Sequence, residues 1–407
     1  MADVLVLSRH GAGGVRQVAE ILTQLGHRAV LLSELPDDAN REVCAAHLTI
    51  DWDKADPDQV AAAAEAAQVR PAAVVNMVES LIGWQVGISH RFGLPGGADG
   101  RAILADKALV RAELRRMGLS DVAFVAGRAA DVDIEAVRSY PVILKPSRES
   151  GSSRLVARAD GPDQLRDRLR ELVAGGSGDL GVIVEDYLDG TEFSVDGPVV
   201  GGRFVGLFAV EKPDHDERRH HDAGLLIAPP QSEPVQRGRE RLVAMVSALC
   251  TEAPLAGLWL HVEGRALADG RTELLEINAR PGGGVHRAAI LHSCGVDPFW
   301  EAIQMALDEH YTTDCAGLAQ GSQLFGMRPF EIYEVGRVAE ATTLEEWQKI
   351  DGVLLGYAQA GFEVTSLEKE NFFGEVLLTA SSVQELRRVA NRVEQVFHHR
   401  LLPPDAN

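Results

Sequence analysis

The chain has 407 residues, of which 45% are hydrophobic and 25% charged, a composition typical of a globular protein with two to four domains. Sixty acidic residues against 40 basic ones give a formal net charge of −20, which argues against a general nucleic-acid or anionic-membrane surface. No apolar run is long enough for a bilayer, no signal-peptide pattern opens the chain, and the four cysteines lack zinc-site or CxxC spacing, so we expect a cytoplasmic protein.

The N-terminal segment 1–102 alternates between strand and helix patterns, which predicts a parallel α/β sheet. Its predicted elements are strands at 4–7, 28–32 and 72–77 and a helix at 15–25. Gly11, Gly13 and Gly14 precede this helix, where a dinucleotide-binding fingerprint would lie. Arg16 occupies the position where that fingerprint needs glycine for close helix–strand packing, so a tight turn is the favoured interpretation.

The pattern over 106–187 predicts a helix followed by a small α+β unit. Its predicted elements are helix 106–117, strand 141–145, polar loop 147–153, strand 155–158, helix 163–173 and strand 182–187. Lys145 ends a strand beside a loop rich in hydroxyl and N–H groups, which suits a polyphosphate, and Lys107 is a weaker candidate. Glu185 and Glu192 flank a turn and can accept hydrogen bonds from an adenine amino group or ribose hydroxyls. A solvated surface position is the alternative for each of them.

A later stretch, GRTELLEINARPGG at 270–283, combines an apolar strand pattern with regularly spaced polar residues. Glu276, Asn278 and Arg280 recur at every second position. Because side chains two apart on a strand point to the same face, the three would share one face.

The dipeptide Asp269-Gly270 is a strong signal for a two-residue hairpin turn. Such a turn places Glu263 opposite Glu276 and His261 opposite Asn278, with all four side chains on one face. Two facing carboxylates repel each other, so this register favours a bound Mg²⁺, which takes hard oxygen ligands. The alternative is a solvent-facing strand whose charges have no role.

Taken in chain order, five motifs resemble those of the ATP-grasp superfamily over residues about 103 to 290: Asp106-Lys107, ILKPSRESGSS, VEDYLDGTEFSVD, HVEG and LLEINARPGG. Within it, the EINARPGGG ending and the alternating final region look most like the L-amino-acid ligases and related carboxylate–amine ligases. The resemblance implies a mixed α/β and α+β ATP-grasp fold. Its implied parts are an N-terminal parallel-sheet α/β domain (1–102), a lid subdomain with a lead-in helix (103–190), a catalytic subdomain (191–320) and a C-terminal α+β subdomain (321–407).

The resemblance also implies site residues. Those expected to bind ATP are Lys107, Lys145, Ser150, Gly151, Ser152, Ser153, Glu185, Tyr187, Leu188 and Glu192. The lysines would contact phosphates under the serine-rich loop, Glu185 would sit at the adenine edge, and Glu192 at the ribose. The expected Mg²⁺ ligands, for two ions that Mn²⁺ can replace, are Glu263, Glu276 and Asn278. Arg280 and Lys145 are the expected catalytic residues, with Arg280 facing an acyl phosphate or a substrate carboxylate.

Substrate residues are expected in two places. One is the charged segment 211–222, with Glu211, His220 and His221, for which a solvated loop is the alternative. The other place holds Arg280, Gly282 and Gly283. The N–H groups of the two glycines come just before a helix and would suit an anion. The alternative is that the glycines only form a turn. The phosphate loop departs from the family, because Gly151 is its only glycine and Arg154 and Leu155 follow where another small residue is common.

The implied function is an ATP-dependent carboxylate–amine ligase that joins amino acids or similar substrates through an acyl phosphate. Its partners would be a small-molecule carboxylate and an amine, with a homodimer as one assembly and with neither nucleic acid nor membrane. One alternative is a carboxylase-type enzyme of the biotin carboxylase or purine-pathway kind, which would release phosphate with bicarbonate. Another is a nucleotide-binding protein without turnover, which would never release phosphate.

Overall fold

The computed structural model describes residues 1–97, 100–148, 151 and 153–403. Ser150 and Ser152, both expected to close over ATP, lie outside the described residues. Across the described ranges the strands form one parallel sheet and three antiparallel sheets, as the sequence patterns predict for the N-terminal and later parts. In that same part of the chain, no helix has the length and apolar character needed to cross a membrane.

The N-terminal unit is a parallel sheet covered by helices on both faces. Its elements are β1 Asp3–Leu7, α1 Val15–Gln24, β2 Arg28–Ser33, β3 Ala46–Thr49, α2 Pro57–Ala66, β4 Pro71–Asn76 and α3 Ile82–Phe92, with 3₁₀ turns at Ala39–Val43 and Glu79–Leu81. The strand order is β3-β2-β1-β4. On β1, Val4 and Val6 pack into one apolar core while Leu5 and Leu7 pack into another, so both faces are buried. The predicted strands and helix are confirmed, and β3 is an additional strand.

Two short helices lead into a four-stranded antiparallel sheet in the order β5-β8-β6-β7, which belongs to the segment predicted to be a lid and is called the lid below. The elements are α4 Gly100–Leu104, α5 Lys107–Arg116, β5 Phe124–Arg128, β6 Val142–Pro146, β7 Ala157–Ala159, α6 Pro162–Ala174 and β8 Gly181–Asp186, with a 3₁₀ turn at Ile134–Ala136. The Asp106 carboxylate accepts the N–H groups of Ala108 and Leu109, so it caps α5 and fixes Lys107 in the first turn.

The largest sheet of the described chain joins its middle to its C-terminal part. The middle supplies β9 Gly190–Val200, β10 Arg203–Phe204, β11 Phe208–Lys212, β12 Leu226–Ala228, α7 Glu233–Glu252, β13 Leu258–Leu267, β14 Thr272–Asn278, α8 His286–Cys294 and α9 Pro298–Leu307. The C-terminal part supplies β15 Leu324–Glu331, β16 Gly336–Ala341, α10 Leu344–Trp347, β17 Val353–Ala358, β18 Glu363–Val364, β19 Phe372–Ala380, α11 Val383–Val396 and β20 His399–Leu402.

The order of this sheet is β14-β13-β9-β11-β12-β15-β19-β17, with β10 paired to β9, and β18-β16-β20 form a separate small sheet. Because β12 pairs with β15, the predicted segments 191–320 and 321–407 share one sheet. The boundary between these two segments therefore stays a prediction. The β13–β14 hairpin and the C-terminal strands β19 and β17 lie at opposite edges of this one sheet.

The β13–β14 hairpin has the predicted pairing at its polar face. Glu263 lies opposite Glu276, and His261 lies opposite Asn278. The intervening Val262 belongs to the apolar core under α7, as the alternation of strand side chains requires. The hairpin thus turns one apolar face to the core and one polar face to the lid.

The pairing of these residues agrees with the prediction, but the loop and the strand geometry that produce it differ from those predicted. The loop has three residues rather than two, because the N–H of Leu267 donates to the carbonyl of Arg271 and Gly270 takes a φ of 84°. The longer loop shifts the pairing by one residue next to the turn. A β-bulge opposite Gly264, with Leu275 as the extra residue, shifts it back. The two deviations cancel, so the polar pairs coincide with the prediction.

Candidate active site

A cleft of about 380 Å³ lies between the lid, the β13–β14 hairpin and the C-terminal strands. The predicted site residues that line it are Lys107, Lys145, Gly151, Ser153, Glu185, Tyr187, Leu188, Glu192, His220, Glu263, Glu276, Asn278, Arg280 and Gly283. Contrary to expectation, the predicted substrate residues Glu211, His221 and Gly282 are not part of its lining. Residues far apart in sequence are thus brought together around one cleft.

The polar face of the hairpin offers three oxygen-bearing side chains to this cleft. Asn278 is 4% exposed, and its Oδ1 has no hydrogen-bond partner among the residues that the structure describes, which is rare for a buried amide oxygen. Lys107 Nζ lies 3.1 Å from Glu276 Oε1, and Lys212 Nζ lies 2.7 Å from Glu263 Oε1. Two facing carboxylates and an unpartnered amide oxygen are hard donors of the kind that Mg²⁺ prefers. The residues therefore fit the predicted metal.

A buried carboxylate holds the Lys145 ammonium in place. Lys145 Nζ lies 2.7 Å from Glu185 Oε1, and Arg111 donates to Glu185 Oε2 at 2.9 Å. Burial alone would raise the pKa of Glu185, but Arg111 and Lys145 lower that pKa to about 2. The same two cations donate to the carbonyls of Leu274 and Leu275 at the β-bulge. Because both oxygens of Glu185 are occupied by cations, its contact with an adenine edge stays a prediction.

Lys212 on β11 is a cleft lysine that sequence reasoning missed. Its Nζ lies 2.7 Å from Asp222, 2.7 Å from Glu263 and 3.0 Å from Glu192, and its side chain is 4% exposed. Burial alone would lower its pKa, but these three carboxylates raise it well above the ordinary value. Lys212 is therefore a buried, charged link between the hairpin, β9 and the 211–222 segment.

Glu211, which was expected to contact substrate, has a different role from its neighbour Lys212. Adjacent strand residues point to opposite faces, so Glu211 faces away from the cleft. Its Oε2 accepts the N–H groups of Gln231 at 2.7 Å and Ser232 at 3.0 Å, just before α7 begins. The prediction placed Glu211 in a charged loop between two strands, whereas it lies on β11 with its side chain turned away from the cleft.

Comparison with known proteins identifies this arrangement. Residues 138–289 match the family described as the ATP-grasp domain. The chain carries an ATP-grasp domain. The predicted resemblance is therefore confirmed, and the cleft lies within and around the matched segment. No curated protein matches the chain by sequence.

Solved structures with the same ATP-grasp fold cover almost the whole chain. An L-amino acid ligase from Bacillus licheniformis is 18% identical with a TM-score of 0.79, covering 99% of both chains. The biotin carboxylase domain of the Hydrogenobacter thermophilus 2-oxoglutarate carboxylase is 16% identical with a TM-score of 0.73, covering 98% of this chain and 90% of its own. N5-carboxyaminoimidazole ribonucleotide synthetase from Thermotoga maritima is 16% identical with a TM-score of 0.71, covering 99% and 100%. The predicted ATP-grasp fold is confirmed.

The predicted adenine and ribose residues of the ATP-grasp domain are linked by Arg265, which sequence reasoning missed. Arg265 donates to the carbonyl of Leu188 and to Glu192 Oε2, both at 3.0 Å. Arg265 Nη1 also donates to Glu217 Oε2 at 3.0 Å, and that carboxylate accepts the Tyr187 hydroxyl at 2.8 Å. One arginine thus holds the connection between β8 and β9 against the central sheet.

Glu79 brings the N-terminal unit of the chain into the cleft. Its carboxylate lies 3.8 Å from Lys107 and 3.9 Å from Arg280. Burial and the nearby Glu276 raise the pKa of Glu79 to about 8, against the lowering effect of the two cations. A Cβ on Gly151 would lie 3.2 Å from Glu79 Oε2, so Gly151 approaches this acid closely. Glu79 therefore joins the N-terminal unit to Gly151 and to Arg280.

The lid contacts the 211–222 segment through the loop that contains Ser153. The Ser153 hydroxyl donates to the carbonyl of His220 at 2.7 Å. His220 lines the cleft, whereas the neighbouring His221 points away and pairs through Nδ1 with Glu331 at 2.8 Å. Of the two histidines predicted to contact substrate, only His220 is therefore placed to do so.

The glycine-rich turn after the hairpin is tied to a buried acid. Asp196 Oδ1 accepts the N–H of Gly282 at 2.9 Å, and its Oδ2 lies 2.7 Å from His261 Nδ1. The other ring nitrogen of His261 lies 3.5 Å from Glu263. Burial lowers the pKa of His261, but Asp196 and Glu263 raise it to about 9. The N–H of Gly282 is thus committed to Asp196, and Gly283 remains the candidate for an anion.

Glu375 on β19 gives a prediction for the pH dependence of stability. Burial, with a smaller contribution from Asp222, raises the pKa of Glu375 from 4.5 to about 7. The folded protein therefore keeps a proton that the unfolded chain has released, and the stability contributed below pH 4.5 is lost as the pH rises through 7. We expect Glu375→Gln, which cannot ionise, to gain about 3 kcal/mol relative to wild type between pH 4.5 and pH 8 in urea unfolding. A difference that does not change with pH would contradict the raised pKa.

Proposed function

We propose that this protein is an ATP- and Mg²⁺-dependent ligase that joins a carboxylate to an amine, with amino acids or similar molecules as both substrates. The observation that carries the proposal is the polar face of the hairpin. Glu263, Glu276 and the Oδ1 of Asn278 share this face, and Lys107 lies 3.1 Å from Glu276. The likeness in fold to an L-amino acid ligase supports the same reaction class.

The cleft residues divide between phosphate binding and substrate activation. Lys107 and Lys145 would contact the ATP phosphates, and Mg²⁺ held by the hairpin face would neutralise the phosphate oxygens during an in-line transfer. An oxygen of the substrate carboxylate attacks the γ-phosphorus, the bond from that phosphorus to the β–γ bridging oxygen breaks, and ADP leaves. Arg280, which lies 3.9 Å from Glu79, would stabilise the acyl phosphate through its guanidinium charge.

In the second step, the amine nitrogen attacks the acyl carbon, the carbon–oxygen bond to phosphate breaks, and the amine releases a proton. Water would hydrolyse an acyl phosphate, so the reaction needs a covered cleft. Two hydrogen bonds support such a cover: Ser153 to the carbonyl of His220 at 2.7 Å, and the N–H of Leu155 to the carbonyl of Glu368 at 3.0 Å. The lid loop is thereby linked both to the 211–222 segment and to the C-terminal region.

The test is a phosphate-release screen over pairs of amino acids with ATP and Mg²⁺, with the mass of every product recorded. We expect phosphate and an amide in equal amounts, with ADP as the nucleotide product. Reactions with ATP and Mg²⁺ but without any amino acid are the control and should release phosphate only slowly. Phosphate released with bicarbonate but never accompanied by an amide would favour a carboxylase-type enzyme. ATP binding without phosphate release from any mixture would indicate a nucleotide-binding protein.

A further inference from the structure

The C-terminal strands close one side of the cleft. We call Tyr357, Glu370, Phe372 and Glu375 the C-terminal wall; all four line the cleft, although they lie well beyond the segment that matches the ATP-grasp domain. Glu375 on β19 is 9% exposed and lies directly opposite Tyr357 on β17. Because cross-strand partners share a face, the carboxylate and the aromatic ring are neighbours on the side of the sheet that faces the cleft.

The wall carboxylates differ from the other acids of the cleft. The acids around the predicted phosphate and metal region each form an ion pair with a lysine, arginine or histidine: Glu79, Glu185, Glu192, Asp222, Glu263 and Glu276. Glu370 and Glu375 have no ion-pair partner among residues 1–97, 100–148, 151 and 153–403. Each accepts one backbone N–H, that of Asp222 at 2.7 Å for Glu370 and that of Val285 at 2.9 Å for Glu375.

A carboxylate withdrawn from water without an ion-pair partner is costly; this applies to the buried Glu375 and, in part, to the half-buried Glu370, on which the charge of Lys212 has only a smaller effect. The cost is visible in their acidities: burial and the neighbouring Asp222 raise the pKa of Glu370 well above its ordinary value and that of Glu375 to about 7. A bound cation would remove this cost. The ring of Tyr357, which is 42% exposed, and that of Phe372 add aromatic surface on which a cation can rest.

We propose that the C-terminal wall binds a positively charged side chain, so that one substrate of the ligase is a basic amino acid with an ammonium or guanidinium group. The proposal rests on the proposed function and narrows its substrate class. The α-ammonium group of an amino acid needs a single carboxylate, whereas the wall offers two carboxylates and two aromatic rings. An elongated cationic side chain matches that set, and a neutral side chain would leave both acids uncompensated.

The test compares pairs of amino acids that differ only in side-chain charge. Arginine and citrulline have nearly the same shape, but citrulline is neutral, and both carry the same α-ammonium group. With the same partner amino acid, we expect kcat/KM for amide formation to be about 10- to 100-fold higher with arginine, as for a charged hydrogen bond. Equal rates would overturn the basic substrate and leave the ligase intact, whereas absence of any amide would overturn the proposed function itself.

Substitutions of the two wall carboxylates test whether the preference for arginine over citrulline comes from the C-terminal wall. Glu375→Gln and Glu370→Gln keep an oxygen for the N–H of Val285 or Asp222 but remove the charge. We expect each to lower kcat/KM for arginine about 10-fold while leaving that for citrulline and the KM for ATP unchanged. Glu363→Gln, at an exposed position on β18, is the matched control. An equal loss for arginine and citrulline would contradict the proposal, and if one variant fails to fold, the other decides.

Discussion

Replacing Glu276 by alanine is expected to lower kcat roughly a thousandfold, because the hairpin face loses one of its two carboxylates for Mg²⁺. The fold should survive the change. The Glu276 side chain is partly exposed to the cleft, and its partner Lys107 keeps Glu79 at 3.8 Å as a second acid. Turnover would be measured as phosphate release at saturating ATP, and the fold by circular dichroism and urea unfolding.

The control for this change is Glu240→Ala, which removes a glutamate from the exposed face of α7 far from the cleft lining. Its kcat should equal that of wild type. Raising Mg²⁺ should not restore Glu276→Ala, because the ligand itself is absent. If Glu276→Ala kept near-normal turnover, the assignment of the metal to the hairpin face would be wrong.

Lys212→Met is expected to lower the free energy of unfolding more than the other substitutions do. Lys212 is 4% exposed at its side chain and pairs with Glu192, Asp222 and Glu263, so its removal leaves one buried and two partly buried carboxylates close together without their shared cation. Removing one partner of a buried ion pair costs about 3–5 kcal/mol, and we expect a loss of this size in the free energy of unfolding. The measurement is urea unfolding without Mg²⁺ at pH 7.

Mg²⁺ supplies the second part of this test. A cation bound near Glu263 would offset part of the lost charge, so added Mg²⁺ should stabilise Lys212→Met more than it stabilises wild type. Lys349→Met, at an exposed position, is the control and should change the free energy of unfolding by less than about 0.5 kcal/mol. A Lys212→Met protein as stable as wild type would show that the three carboxylates do not depend on this lysine.

Much of the candidate site could be predicted because its residues recur within single elements. The spacing of Glu276, Asn278 and Arg280 reports a shared strand face, and the Asp269-Gly270 turn adds Glu263 from the facing strand. The register came out as predicted only because a three-residue loop and a β-bulge compensate each other. Neither feature could be read from the pattern, since a bulge is decided by packing and hydrogen bonding across the whole sheet.

The ion-pair partner of Arg111 could not be predicted from the pattern of its own helix. It lies beside Val110 and Leu114 on the buried face of α5, so an arginine at an apolar helical position was a signal that a buried partner exists. The partner, Glu185, lies on β8 in the lid, and no periodicity links the two. Similarly, the density of charge in 211–222 drew attention to Glu211, although the cleft residue is Lys212 on the opposite face.

By itself, the sequence determined the alternation of the N-terminal sheet, the order of the ATP-grasp motifs and the polar face of the hairpin. Each of these is a property of neighbouring residues, because strand and helix periods decide which side chains share a face. Only the tertiary structure decided that Glu79, Lys212 and the C-terminal wall line the same cleft as that face. Such contacts between distant strands depend on how whole sheets pack, and the resulting burial sets the charge partners that a linear pattern does not contain.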